Sequence, residues 1–151
     1  MNGPIVLCTD GSDASNRALA AGLAILNADT DIVIVTVADE ADPMLLTGTG
    51  MASGTMSAED FDKLVGEFEA EAESHVRAAA TFLDRSDATT RVLRGGAGNA
   101  LCAFARDVSA RALVLGTRGR GGIKRALLGS VSDYVVRNAP CPVVITPPSS
   151  R

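Results

Sequence analysis

Short runs of apolar, mostly β-branched residues alternate along the chain with longer stretches whose apolar positions recur at helical spacing. The runs Ile5–Thr9, Asp31–Val37, Thr89–Leu93, Arg111–Leu115 and Pro142–Thr146 are bounded by Gly, Pro, Asp or Ser and predict five strands. Ser12 to about Leu26 is rich in Ala and Leu and predicts a first helix. Its small residues Ala14, Ala18, Ala21 and Gly22 suit it to lie close against a sheet. A long helix is predicted to start at Ser57-Ala58-Glu59-Asp60, which has the form of a capping box. Its apolar stripe is Phe61, Leu64, Val65, Phe68, Ala72, Val76, Ala79, Phe82 and Leu83. Leu101, Phe104, Ala105 and Val108 mark a third helix. Ser130, with Asp133 three residues on as a second capping box, opens a fourth that runs to about Asn138.

Residues 39–57 break this rhythm with Gly, Thr, Met, Ser and Ala in no period. An irregular segment of that length in a compact domain predicts a flexible flap. Strands and helices otherwise alternate, so right-handed βαβ crossovers give a parallel sheet covered on both faces. Such sheets take ligands beyond the carboxyl ends of their strands, where the strand order reverses. Asp10-Gly11 and Gly116 each follow a strand. They face one crevice if the first and fourth strands are neighbours at the reversal.

The 151 residues predict a single domain, 1–151, with 46% apolar and 21% charged residues. Aromatics make up 3%, Trp is absent and the formal net charge is -4, which disfavours nucleic acid as a partner. No apolar run approaches the roughly 20 residues of a membrane span. MNGPIVLCTDGSD carries no basic n-region, so a cytoplasmic protein is expected. Cys8, Cys102 and Cys141 are odd in number and widely spaced, which predicts reduced core thiols rather than disulfides or a zinc site.

Against this acidic background, Val108 to Ser132 holds five basic residues (Arg111, Arg118, Arg120, Lys124, Arg125) and no acid. The same stretch reads Gly116-x2-Gly119-x9-Gly129-Ser130. It follows a strand and ends at a helix start, where free N–H groups and the helix dipole attract phosphate. It is neither a Walker A loop nor a complete GxGxxG fingerprint. Asp10 suits either a ribose hydroxyl or a Mg²⁺ ion bridging phosphates, and equally a helix cap. The single histidine, His75, falls at the edge of the long helix's apolar stripe and reads as a boundary residue rather than a catalyst. Asp62, Glu67, Glu69, Glu71 and Glu73 read as a solvated helix face.

The glycine motif resembles the Gly-x2-Gly-x9-Gly-Ser/Thr nucleotide motif of ATP-binding universal stress proteins. Asp10-Gly11-Ser12 after the first strand and the terminal Ala139-Pro140-Cys141-Pro142-Val143-Val144 are similar to the same family. The resemblance implies a Rossmann-like open five-stranded sheet in the order 3-2-1-4-5 and a homodimer built through the last strand, 142–146. It also implies ATP as the ligand. Thr9 and Asp10 would then lie near adenine and ribose, Val37 at adenine, and Leu115 and Gly116 beside the ribose. Thr117, Arg118 and Gly119 would approach the phosphates, held by Gly129, Ser130 and Val131, with Mg²⁺ at Asp10. One departure from the family is Ser109-Ala110-Arg111-Ala112, where many members carry an Asp before the fourth strand.

Three functions stay open on these grounds. The first is a nucleotide-dependent switch in stress or dormancy responses, acting on an unidentified downstream protein. The second is a slow ATPase or nucleotidyl transferase, for which the sequence offers no activating group beyond Asp10. The third is a dimeric interaction module that binds no nucleotide.

Overall fold

The computed structural model describes residues 3–26, 31–47, 55–117 and 128–147. Five strands, β1 (Ile5–Cys8), β2 (Ile32–Val37), β3 (Thr89–Leu93), β4 (Ala112–Gly116) and β5 (Val143–Thr146), form one sheet. All pairings are parallel and the order is β3-β2-β1-β4-β5. The helices are α1 (Asp13–Ile25), α2 (Met44–Thr47), α3 (Ala58–Phe82), α4 (Ala97–Asp107) and α5 (Ser130–Asn138). The chain is therefore a single doubly wound α/β unit, as its alternation of patterns predicts.

Central strands buried on both faces need apolar side chains at every position, and Ile5–Cys8 and Ala112–Gly116 are buried throughout. One face packs Ile5, Leu7, Ile34 and Val114 against Leu19 of α1 and Val76 and Ala79 of α3. The other packs Val6, Val35, Leu113 and Leu115 against Leu101 and Ala105 of α4 and Val135 of α5. The small residues of α1 do what their size suggests. A Cβ on Gly22 would run into Val114 Cγ1, and the Thr146 hydroxyl donates to the Ala18 carbonyl at 2.6 Å.

Three local expectations are corrected. Residues 48–54 of the expected 39–57 flap lie outside the described residues, and the described part is not wholly irregular, because Met44–Thr47 form α2 and the Met56 amide bonds to the Leu45 carbonyl at 2.8 Å. Phe82 is half-exposed and Ala80 is buried in its stead. A helix of 25 residues is about 37 Å long at 1.5 Å per residue, whereas a six-residue strand spans about 20 Å. α3 therefore outruns the sheet, and its fully buried positions are confined to Ala72–Ala80. Finally, the α5 cap is Gly129 and not Ser130. Asp133 turns its carboxylate to Arg137, one turn on, rather than back to the cap. Ser57 does cap α3, its Oγ accepting from the Asp60 amide at 3.0 Å, and its hydroxyl donates to Asp60 Oδ2 at 2.7 Å.

Candidate functional site

β1 and β4 lie side by side, with β2 and β5 outside them, so the strand order reverses between β1 and β4. Chain leaving their carboxyl ends moves apart and opens a cleft of about 570 Å³, counting its mouth. One wall is the turn Thr9–Ser12. The Thr9 hydroxyl donates to Asn16 Oδ1 at 2.8 Å and accepts from the Gly11 amide at 3.0 Å. Ser12 caps α1 by accepting from the Ser15 amide, and it gives its own N–H and hydroxyl to Asp10 Oδ1 at 3.0 and 2.7 Å. Asp10 thus braces the cap instead of being it. Its second oxygen, Oδ2, is buried and has no hydrogen-bond partner among the described residues. An unpaired carboxylate oxygen out of water is costly, so this atom is suited to a donor that enters the cleft.

The opposite wall is the end of β4 with the start of α5. The Thr117 amide bonds to the Thr146 carbonyl at 3.0 Å, and the Gly129 amide to the Thr117 carbonyl at 2.7 Å. Both amides are thereby committed within the chain. Ser130, Val131 and Ser132 form the first turn of α5, where N–H groups have no intrahelical acceptor. The Ser132 hydroxyl is buried and spent on the Gly116 carbonyl at 2.8 Å.

Of the residues singled out from the sequence, Thr9, Asp10, Val37, Leu115, Gly116 and Val131 line the cleft together. Thr117, Gly129 and Ser130 stand at its edge without lining it. Arg118 and Gly119 lie outside the described residues. Sequence reasoning missed Cys8, Ser15, Thr36, Ala97, Leu101 and Ser132. Ala97 and Leu101 belong to α4, whose start at the Gly95-Gly96 pair was a usable signal. Ser15, Thr36 and Ser132 are single buried polar residues on three different elements, and no spacing links them.

Cys8, Cys102 and Cys141 are free thiols of one core cluster. Burial pushes the Cys8 thiol far up, and the neighbouring Cys141 and Cys102 add to the shift. Burial raises Cys102 as well, against the lowering influence of Arg106. Among the described residues no three His, Cys, Asp or Glu side chains gather into a protein-only metal site. Asp10 alone fits a magnesium ion whose other ligands are phosphate and water oxygens, since Mg²⁺ is commonly held by one or two carboxylates. His75 is a boundary residue, as expected, with its ring on Gly11 and Nε2 3.5 Å from Glu71 Oε1. The acidic face of α3 is only partly solvated, for Glu69 is half-buried and meets Arg94 at the end of β3.

A parallel sheet with a polar-rimmed cleft at its switch point defines the class: a doubly wound α/β protein with a ligand crevice. Within that class the chain belongs to the universal stress protein family, whose model matches residues 1–147. A universal stress protein of Methanocaldococcus jannaschii is 33% identical over 142 residues, covering 93% of this chain and 79% of that one. The solved universal stress protein UspA of Lactobacillus plantarum superposes with a TM-score of 0.70 at 20% identity, covering 96% of this chain and 97% of that one. Another solved family member, in complex with cAMP, is 28% identical with a TM-score of 0.58 and 98% coverage of both chains. Among the described residues no helix is long and apolar enough to cross a membrane.

Proposed function

We propose that the chain binds an adenine nucleotide, ATP with Mg²⁺ foremost, in the cleft between β1 and β4 and acts as a nucleotide-dependent switch. The observation that carries this is the buried, unpartnered Asp10 Oδ2 beside Gly116 and the α5 start. A ribose hydroxyl supplies the donor that this oxygen lacks. A bare phosphate against Asp10 would meet a like charge, so the phosphates extend toward the first α5 turn, whose N–H groups have no intrahelical acceptor, and a Mg²⁺ ion held by Asp10 would offset their charge on that side. Thr117, Ser130, Val131 and the basic stretch holding Arg118 and Gly119 surround that end in sequence. Thr9 and Val37 then border the adenine, and Leu115 and Gly116 the ribose. The family member solved with cAMP supports an adenine ligand for this site.

Binding is favoured over catalysis. Among the described residues the titratable groups lining the cleft are Cys8 and Asp10, and the buried Cys8 thiol is a poor base or nucleophile. Hydrolysis, if measured, is expected far below the roughly 1–10³ per second of ordinary enzymes. Occupancy then matters only insofar as one conformation or dimer surface binds nucleotide better than another. The dimer surface in this reading is the β5 edge, where Val143, Val144 and Ile145 are each half-buried.

Calorimetry with ATP, AMP and cAMP, with and without magnesium, tests the reading. Asp10→Ala is expected to weaken AMP at least about tenfold, the worth of a charged hydrogen bond of about 1.5–3 kcal/mol. Equal affinities for Asp10→Ala and the parent, or no heat from the parent at millimolar nucleotide, reject it.

A further inference from the structure

His75 stands outside the cleft lining, yet it touches the turn that carries the cleft carboxylate. A Cβ built on Gly11 would fall onto the imidazole Cδ2, Cγ and Nε2 atoms, so the ring lies against the Gly11 α-carbon. Gly11 has a φ of 84°, a conformation that side-chain-bearing residues rarely adopt. Space and backbone together therefore require glycine beneath this ring. The ring is held in turn by α3, with Nε2 3.5 Å from Glu71 Oε1 and the side chain only 18% exposed. Next to it along α3, Ala72 and Val76 are buried against the sheet, so the ring is carried by a packed element.

We propose that His75 is a positioning residue of the nucleotide cleft: its imidazole, seated on Gly11, clamps the turn 10–12 and so fixes the Asp10 carboxylate. The role rests on the reading of Asp10 as a nucleotide contact. A glycine turn has many backbone conformations open to it, and each one excluded in advance is one the ligand need not exclude on binding. The internal bonds of the turn are short-range: Gly11 N–H to Thr9 Oγ1, and Ser12 N–H and hydroxyl to Asp10 Oδ1. Further bonds of Thr9, Asp10 and Ser12 run to Asn16 and Ser15 and fasten the turn to the start of α1. The His75 ring adds a second hold from a helix far along the chain, and it is the one that bears on Gly11 itself. Gly11 does not line the cleft, so through this contact His75 acts on the cleft by way of the turn.

Two readouts test the proposal on the full chain. The first needs no nucleotide: amide exchange at Gly11 and Ser12. His75→Ala and His75→Gln are expected to speed it about tenfold or more through local opening, while His75→Phe, which keeps a ring, leaves it near the parent. The second is AMP affinity. His75→Ala is expected to weaken it about fivefold in the parent and less than about twofold in an Asp10→Ala background, because the positioned group is gone. Should His75→Ala melt below the assay temperature, the contrast between His75→Gln and His75→Phe decides by the same two readouts. Unchanged exchange, a His75→Phe as impaired as His75→Gln, or equal losses in both backgrounds overturns the clamp. A parent that takes up no AMP while the exchange pattern holds rejects the nucleotide reading itself and reduces His75 to a structural contact.

Discussion

Ser132 donates its buried hydroxyl to the carbonyl of Gly116, 2.8 Å away and 16 positions earlier in the chain. One bond thereby fastens the start of α5 to the end of β4, at the two borders of the glycine-rich segment.

Ser132→Ala removes the donor and leaves the Gly116 carbonyl short of a partner. Loss of about 1–3 kcal/mol is expected. Thermal unfolding would fall by about 2–4 °C per kcal/mol for a domain of this size. An unchanged melting temperature would show that the hydroxyl carries no structural share.

Gly22→Ala sets two effects against each other. Alanine favours a helix interior by about 1 kcal/mol over glycine. The added methyl would overlap Val114 Cγ1, a stiff side chain that is itself fully buried, and stand 3.6 Å from Thr146 Cγ2. Overpacking of this kind costs about 1–3 kcal/mol, so net destabilisation is expected, read as a lower denaturant midpoint. A higher midpoint would mean that α1 can move off the sheet without cost.

Thiol reactivity follows from burial. A raised pKa means less thiolate at any given pH, so native Cys8 is expected to resist a disulfide reagent at pH 8 and to react only after unfolding. Burial raises Cys141 too, but a hydrogen bond from Leu113 opposes the shift and the residue is only partly buried. It should therefore react first. Mass spectrometry of partly labelled protein checks this order, and early labelling of Cys8 would refute it.

The β5 edge gives a prediction about assembly. Val143, Val144 and Ile145 present a half-buried apolar edge strand, which natural proteins usually cover. Light scattering is expected to give twice the 15.5 kDa chain mass at micromolar concentration. A particle of single-chain mass at that concentration contradicts a dimer through this strand.

How far the sequence spoke depended on whether the physics was periodic. Ile5–Cys8 and Ala112–Leu115 are uniformly apolar because the central strands are buried on both faces, and that alone placed them within a residue. α2 escaped notice because its four residues form a single helical turn, too short to show a period. Ser130 was read as a cap although Gly129 caps α5, since a glycine cap leaves no side-chain signature. Asp10 could be singled out from its position after a strand. Its unpaired oxygen could not, because that depends on Ser12 occupying the other one. Ser132 and Thr36 reach the cleft through strand order and helix packing, which join positions far apart in the chain. The contact of His75 with Gly11 is of the same long-range kind.

Amide NMR during titration with magnesium ATP decides whether an adenine nucleotide occupies the crevice between β1 and β4. Saturable shifts are expected, concentrated at Thr9–Ser12, Val37, Leu115–Thr117 and Ser130–Ser132. Shifts gathered elsewhere on the sheet, or none at millimolar nucleotide, would contradict that occupancy.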